Sequence, residues 1–361
     1  MTYSRTSLLA CGLLSAAAAF ANDLTPQQLK SLCETAPGNT ITINAPVKVA
    51  NFSTRVNVST GCRIIMGATA ILEADTVNMG FAGPLVFQGG WKSGALLTKT
   101  LFEAPSLTFD FAGGENILSL GESTVRATTG NVVLNVGPAS QWTVASRFTG
   151  RAHAIIAAGS ILAAGAGKLD ATLSDTSISG NGGISVSGSG NEMTFNLGNA
   201  SMVSTAGAIN ITSPGVQATL NHAVGQLRGA TGVSVSFSGN EGQISIQQVT
   251  VNAGTGSASF VSALSGARPA KTIVTESNIT AGGAVSVVAA ETGQSGEAAM
   301  ETSRVNAGGA VVVRSGPLGT TNLKLNNLRS PSLVGAYTGP SGSCTAEGNT
   351  VIAPAQQLCL P

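Results

Sequence analysis

Charge is scarce in this chain. Of its 361 residues, 18 are Lys or Arg and 17 are Asp or Glu, a formal net charge of +1. Nucleic acids and anionic membrane surfaces are bound through clustered positive charge, so neither class of partner is expected. Aromatic residues make up 4% and histidines number 2, which leaves little material for aromatic-lined pockets or imidazole chemistry. The five cysteines include no close-set pair of the C-x2-C kind, so the sequence predicts no zinc site, no other metal and no cofactor. Long apolar runs are also missing after the N-terminus. The most apolar stretch, Ala154 to Gly167, is broken by Gly159 and Gly165 and falls short of the roughly 18 residues that a membrane span needs. Disorder is excluded as well, because 43% hydrophobic residues let the chain bury apolar surface.

The first 21 residues read as an export signal. Arg5 supplies a basic start, Leu8 to Phe20 an apolar core, and Ala19-Phe20-Ala21 a small-residue site with cleavage expected before Asn22. A lipidation reading of Leu8-Leu9-Ala10-Cys11 leaves only Thr6 to Ala10 as apolar core, shorter than such segments need. Losing Arg5 leaves 17 basic against 17 acidic side chains, a formal charge of zero. Losing Cys11 leaves Cys33, Cys62, Cys344 and Cys359, an even set in a chain bound for an oxidising compartment. Four cysteines allow three connectivities. Cys33 with Cys62 and Cys344 with Cys359 is the expected one, since each pair lies near one end of the chain.

What is abundant is glycine, 46 residues, and it recurs. Gly130, Gly159, Gly182, Gly207, Gly232, Gly256, Gly282 and Gly308 stand 29, 23, 25, 25, 24, 26 and 26 residues apart. Ala281-Gly-Gly-Ala-Val-Ser-Val287 and Ala307-Gly-Gly-Ala-Val-Val-Val313 show the unit: a glycine turn, then alternating aliphatics. A second column runs Phe195, Leu220, Ile246, Ile273, Met300, Leu325, and a third Val203, Leu227, Val251, Ile279, Val305. Each alternates apolar with polar residues, the period of a half-buried strand. A three-strand unit of constant length buries its aliphatics only by stacking on its neighbours, which separates it from a β-sandwich. The expected fold is all-β: a single-stranded right-handed parallel β-helix of about 12 coils of about 25 residues, three short strands each, between Asn39 and Ala336. Stacking should set Ile209 over Val186 and Val235 over Ile211. At ~4.8 Å per coil the rod would be about 55 to 60 Å long.

Solenoid ends need covers. Thr25-Pro26 opens a short amphipathic helix, with Leu29, Leu32 and Cys33 on one face. The predicted organisation is a signal over 1–21, a capping helix over 22–38, the β-helix over 39–340 and a disulfide cap over 341–361. The helix, the glycine break and the coils of about 25 residues resemble the right-handed parallel β-helix proteins exported by bacteria: pectate-lyase-like enzymes, phage tailspikes and adhesin passengers. No motif singles out one family among them.

The enzymes of that group imply clustered carboxylates with a metal or a paired base. Acidic residues are sparse here, and the best constellation is Asp170 and Asp175 with His153 and Arg151, weighed against a turn role for Asp175. Glu276, Glu297 and Glu301 with Arg268, Lys271 and Arg304 read as a solvated face of mixed sign. Sugar grooves present aromatic rings. Trp91, between Gln88-Gly-Gly and Lys92-Ser-Gly, is the candidate glycan contact, with Trp142 more fitting for a core. Asn252 and Asn306, each in Val-Asn-Ala-Gly, suggest a structural ladder. The expectation is a non-catalytic exported solenoid with a structural or adhesive role, its partner a polysaccharide or other surface component. A polysaccharide lyase or hydrolase is the alternative, and a subunit of a fibre or surface assembly a second. Oligomeric state is not readable.

Overall fold

The computed structural model describes residues 23–360, apart from 112–115, 137–139, 145–152, 158–159, 166–167, 189–191, 216, 240, 263–269 and 291–294. The chain winds into a parallel β-helix. One sheet stacks 14 strands, from Thr40–Ile43 to Ala355–Leu360, and a second holds 21 strands in two adjacent columns. Every strand pairs in parallel with the equivalent strand of the next coil, as Ile184–Gly188 does with Ile209–Ser213. Between the first coil, under the helix, and the last, which carries a disulfide, lie about 11 turns.

Alternation explains the strands. Ile184–Gly188 and Val233–Phe237 both bury every second residue, as a pleated strand with one face on a core requires. Stacked coils bring those residues into ladders. One runs Ile64, Phe87, Phe109, Leu134, Ala163, Val186, Ile211, Val235, Phe260, Val287 and Val313 in continuous register, all of them buried. Phe87 and Phe109 stack with ring centroids 4.8 Å apart. Each such ring contributes roughly 1.5 to 3 kcal/mol by leaving water. In the middle of the rod the aliphatic ladders leave a dry void of about 20 Å³ beside Leu134, Ile161 and Phe195.

Val235 stacks over Ile211 as expected, but Ile209 lies on Ile184, with Val186 on Ile211. The second column also slips. Leu220 pairs with Ile244, Ile246 with Val274, and Met300 with Leu323, so Ile273 turns outward and Leu325 is 67% exposed. In the third, Met202 takes the place expected for Val203. The cause is the corner between the two columns, where one residue adopts a left-handed conformation and resets which alternate residues face inward.

A helix, α1 (Pro26–Thr35), covers the first coil. Thr25 and Gln28 form a reciprocal capping box, and Pro26, Leu29 and Cys33 are buried. Leu24 N donates to Lys48 O at 2.7 Å. Glu34 accepts from Ser59 N at 2.7 Å and Ser59 Oγ at 2.8 Å, and these bonds, the backbone one foremost, hold its carboxyl below the usual range. Cys33 is bonded to Cys62 and Cys344 to Cys359. The stretch after Ser341 continues the ladder: Ser343–Glu347, Thr350–Ile352 and Ala355–Leu360 pair with the strands one coil before them. Only its aliphatic pattern lapses.

Candidate functional site

The corner between the two columns is the most regular feature of the surface. Thr76, Lys99, Glu122, Asp175, Asn199, Val224, Gln248, Glu276, Thr302 and Leu325 all have φ between 48° and 58°, one per coil. Asp175 therefore serves the turn. Its backbone N–H donates to Gly198 O at 2.9 Å, and its carboxylate accepts from Asn199 Nδ2 of the next coil at 2.7 Å. His153 pairs with Thr176 one coil away. Asp170 lies in the other column, between Gln141 and Thr194. The side chains of Asp170 and His153, and Arg151 altogether, lie outside the described residues, as do Ala19, Ala21 and Asn22. What the fold brings to Asp175 is Asn199, an amide that ties coil to coil.

The mixed-sign cluster is a solvated face. Lys271 and Glu297 stand in register and pair at 2.9 Å, with side chains 48% and 40% exposed. Glu276 accepts from Gln248 at 2.7 Å; Arg268 is outside the described residues. A second network follows the same logic near the other end. Arg55 reaches past Gly80 to Glu103 at 2.6 Å, and Arg126 approaches the same carboxylate at 3.5 Å. A Cβ at Gly80 would fall 2.4 Å from the Arg55 guanidinium, so glycine is what opens that path. The Arg55 bond foremost, against some desolvation, holds the Glu103 carboxyl below its ordinary value.

Inside each corner runs a polar ladder that the sequence did not announce. The residue after the turn, buried in Thr100, Ser123, Thr176, Ser277, Ser303 and Asn326, accepts a backbone N–H from the preceding coil. Thus Val249 N donates to Ser277 Oγ at 3.2 Å, Ser277 N to Ser303 Oγ at 3.2 Å, Ser303 N to Asn326 Oδ1 at 2.9 Å, and Asn326 N to Asn349 Oδ1 at 3.0 Å. The serine hydroxyls donate to the carbonyl two residues back, as Ser303 does to Glu301 at 2.9 Å. These contacts satisfy backbone groups that the corner takes out of the sheet. The expected Asn252 and Asn306 ladder is interrupted by Thr280, in register between them; Asn252 instead accepts from Gly254 N at 2.9 Å.

His222 interrupts an aliphatic column between Leu197 and Ile246. It is 1% exposed, and its Nε2 lies 3.1 Å from Ala200 O, the separation of a donated N–H. Nδ1 is buried with no hydrogen-bond partner among the described residues. Burial pushes the imidazole down to about 4, against a smaller opposing effect of the Ala200 carbonyl.

Trp91 is 56% exposed in the turn between Leu85–Gly89 and Gly94–Thr98, and its carbonyl accepts from Thr69 N at 2.8 Å. It is a ring in solvent on an anchored backbone. Trp142 pairs with Leu118 and Ala171; its side chain is outside the described residues. Two concavities mark the surface: one of about 270 Å³ along the corner beside Lys99 and Glu122, and one of about 540 Å³ beside Arg314 and Tyr337. Among the described residues no three His, Cys, Asp or Glu side chains converge to hold a metal, and no helix is long and apolar enough to cross a membrane.

These features define a parallel β-solenoid. Compared with family models, curated proteins and solved structures, the chain matches none, so its own geometry carries the functional reading.

Proposed function

We propose that this chain is an exported, non-catalytic β-solenoid that acts as a rigid structural or adhesive element at the cell surface or outside it, with Trp91 as a glycan contact. The observation that carries the reading is where the polar side chains go. Asp175, the best-placed catalytic candidate, is spent on the Asn199 bond, and the buried hydroxyls and amides join coil to coil. A chain that uses its polar groups this way makes a stiff rod, because each coil is fixed to the next by hydrophobic ladders and by hydrogen bonds. Two disulfides suit an oxidising compartment, which supports export and an N-terminal signal.

Fractionation of the native organism, with a glycan array and depolymerase assays on the chain from Asn22 to Pro361, tests this. Surface or medium location without depolymerising activity is the expected result, with Trp91→Ala weakening any glycan signal that depends on the ring. A calcium-dependent release of unsaturated sugar products would overturn it in favour of a polysaccharide lyase.

A further inference from the structure

The larger groove lies on the outer face of the 14-stranded sheet and is built before any ligand arrives. Its floor is formed by Val311–Ser315 and Leu333–Tyr337, in register so that Val312 meets Gly335 and Arg314 meets Tyr337. A Cβ on Gly335 would fall 2.3 to 2.5 Å from Cε2, Oη and Cζ of Tyr337. The tyrosine ring therefore lies across the Gly335 backbone, a position open only over glycine. Its hydroxyl donates to Gln357 Oε1 of the next coil at 2.6 Å. Tethered at both ends, the ring loses little further freedom when a ligand stacks on it.

Pro317, Thr338 and Gly339 make the wall. Gly319 N donates to Gly316 O at 2.9 Å, Ser341 N to Pro317 O at 3.2 Å and Gly342 N to Gly339 O at 3.0 Å. Below them Thr321 Oγ1 donates to Ser315 Oγ at 2.8 Å, and Ser315 Oγ to Thr338 Oγ1 at 3.1 Å. At about 540 Å³, the groove falls in the size range of small-molecule sites.

We propose that this groove binds a carboxylated sugar, a uronic-acid unit of an extracellular polysaccharide, with Tyr337 as the stacking platform and Arg314 as the carboxylate ligand. Sugar rings lay their apolar face on an aromatic ring. A guanidinium stays charged at every physiological pH and offers a planar fork of five donors, so it pairs a carboxylate bidentately even while holding another contact. The adjacent-strand register sets the guanidinium beside the ring, the arrangement that a pyranose with a carboxylate on its rim requires. The proposal rests on the reading of the chain as an exported protein that meets such polymers, and it names their chemical class at a site separate from Trp91.

Titration calorimetry of the full mature chain with trigalacturonic acid and with galactotriose, its neutral counterpart, tests it. The acid should bind at least tenfold more tightly. Arg314→Gln should remove that discrimination, and Tyr337→Ala should weaken both ligands at least fivefold, while the thermal unfolding of each variant stays close to that of the parent. Absence of binding, equal affinity for the two sugars, or binding abolished by Trp91→Ala and untouched by the two groove substitutions would overturn it. Location separates the two readings: a surface protein that ignores uronates loses the groove alone, and a uronate-binding protein retained inside the cell loses the surface role alone.

Discussion

His222 makes the rod sensitive to mild acid. In the unfolded chain its imidazole titrates near 6.5, and in the coil near 4. Between those values the unfolded state carries one more proton than the folded state, so stability falls as pH falls through that window and is constant with respect to this group above it. Each pH unit costs about 1.4 kcal/mol, and the whole interval about 3 kcal/mol. Protonation brings a charge into a site flanked by Leu197 and Ile246 and asks Nδ1 to donate where it has no partner. Guanidinium unfolding at pH 8, 6.5, 5.5 and 4.5, with hydrogen exchange over residues 192–252, should show the loss concentrated in these coils, since solenoid stability is a sum of local terms. His222→Leu, matching the neighbouring coils, should flatten the profile between pH 6.5 and 4.5. At pH 8 it should change stability by no more than about 2 kcal/mol, the cost of leaving Ala200 O without its donor offset by removal of the bare nitrogen. Glu34 and Glu103, whose carboxyls are held low, contribute stability above their unfolded values and lose it only as pH falls below about 4.5, in parent and variant alike. Parallel profiles for the two proteins from pH 6.5 to 4.5, or an imidazole that titrates above 6 in the native state, would refute this account.

The corner and its inner ladder are equally open to test. Val224, a β-branched residue at φ 58° and 45% exposed, sits where L-residues lose about 1 to 2 kcal/mol and asparagine loses less; Val224→Asn should raise the denaturation midpoint by the equivalent of about 1 kcal/mol, and a lower midpoint would count against strain at this corner. Ser303→Ala leaves Ser277 N, now bonded at 3.2 Å, buried without an acceptor, which should cost about 2 kcal/mol and speed hydrogen exchange at Ser277; unchanged exchange there would show that the ladder does not hold the corner.

How the chain coils was legible in the residues themselves. A glycine spacing near 25 with alternating aliphatics has one economical burial scheme, the stacking of identical turns, and the structure winds that way. Thr25, Gln28, Leu29 and Cys33 announced the covering helix, and the position of the cysteines near the two ends matched their bonding. Phase was not legible. The corner residue turns left-handed and shifts the inward set by one or two positions, so Ile273 and Leu325, as aliphatic as any neighbour, end outside while Thr272 and Ser277 are buried. Nor did the sequence mark Ser277, Ser303 and Asn326 as a ladder, because each finds its partner 23 to 28 residues away and is an ordinary turn residue until the coils stack. The groove obeys the same rule. Arg314, Gly335, Tyr337 and Gln357 belong to three successive coils, and only the register between them sets a ring across a glycine and beside a guanidinium. Local alternation decides that a segment is a strand with a buried face; which side chains meet is decided by stacking, since the contacts that matter run across the coils and not along the chain.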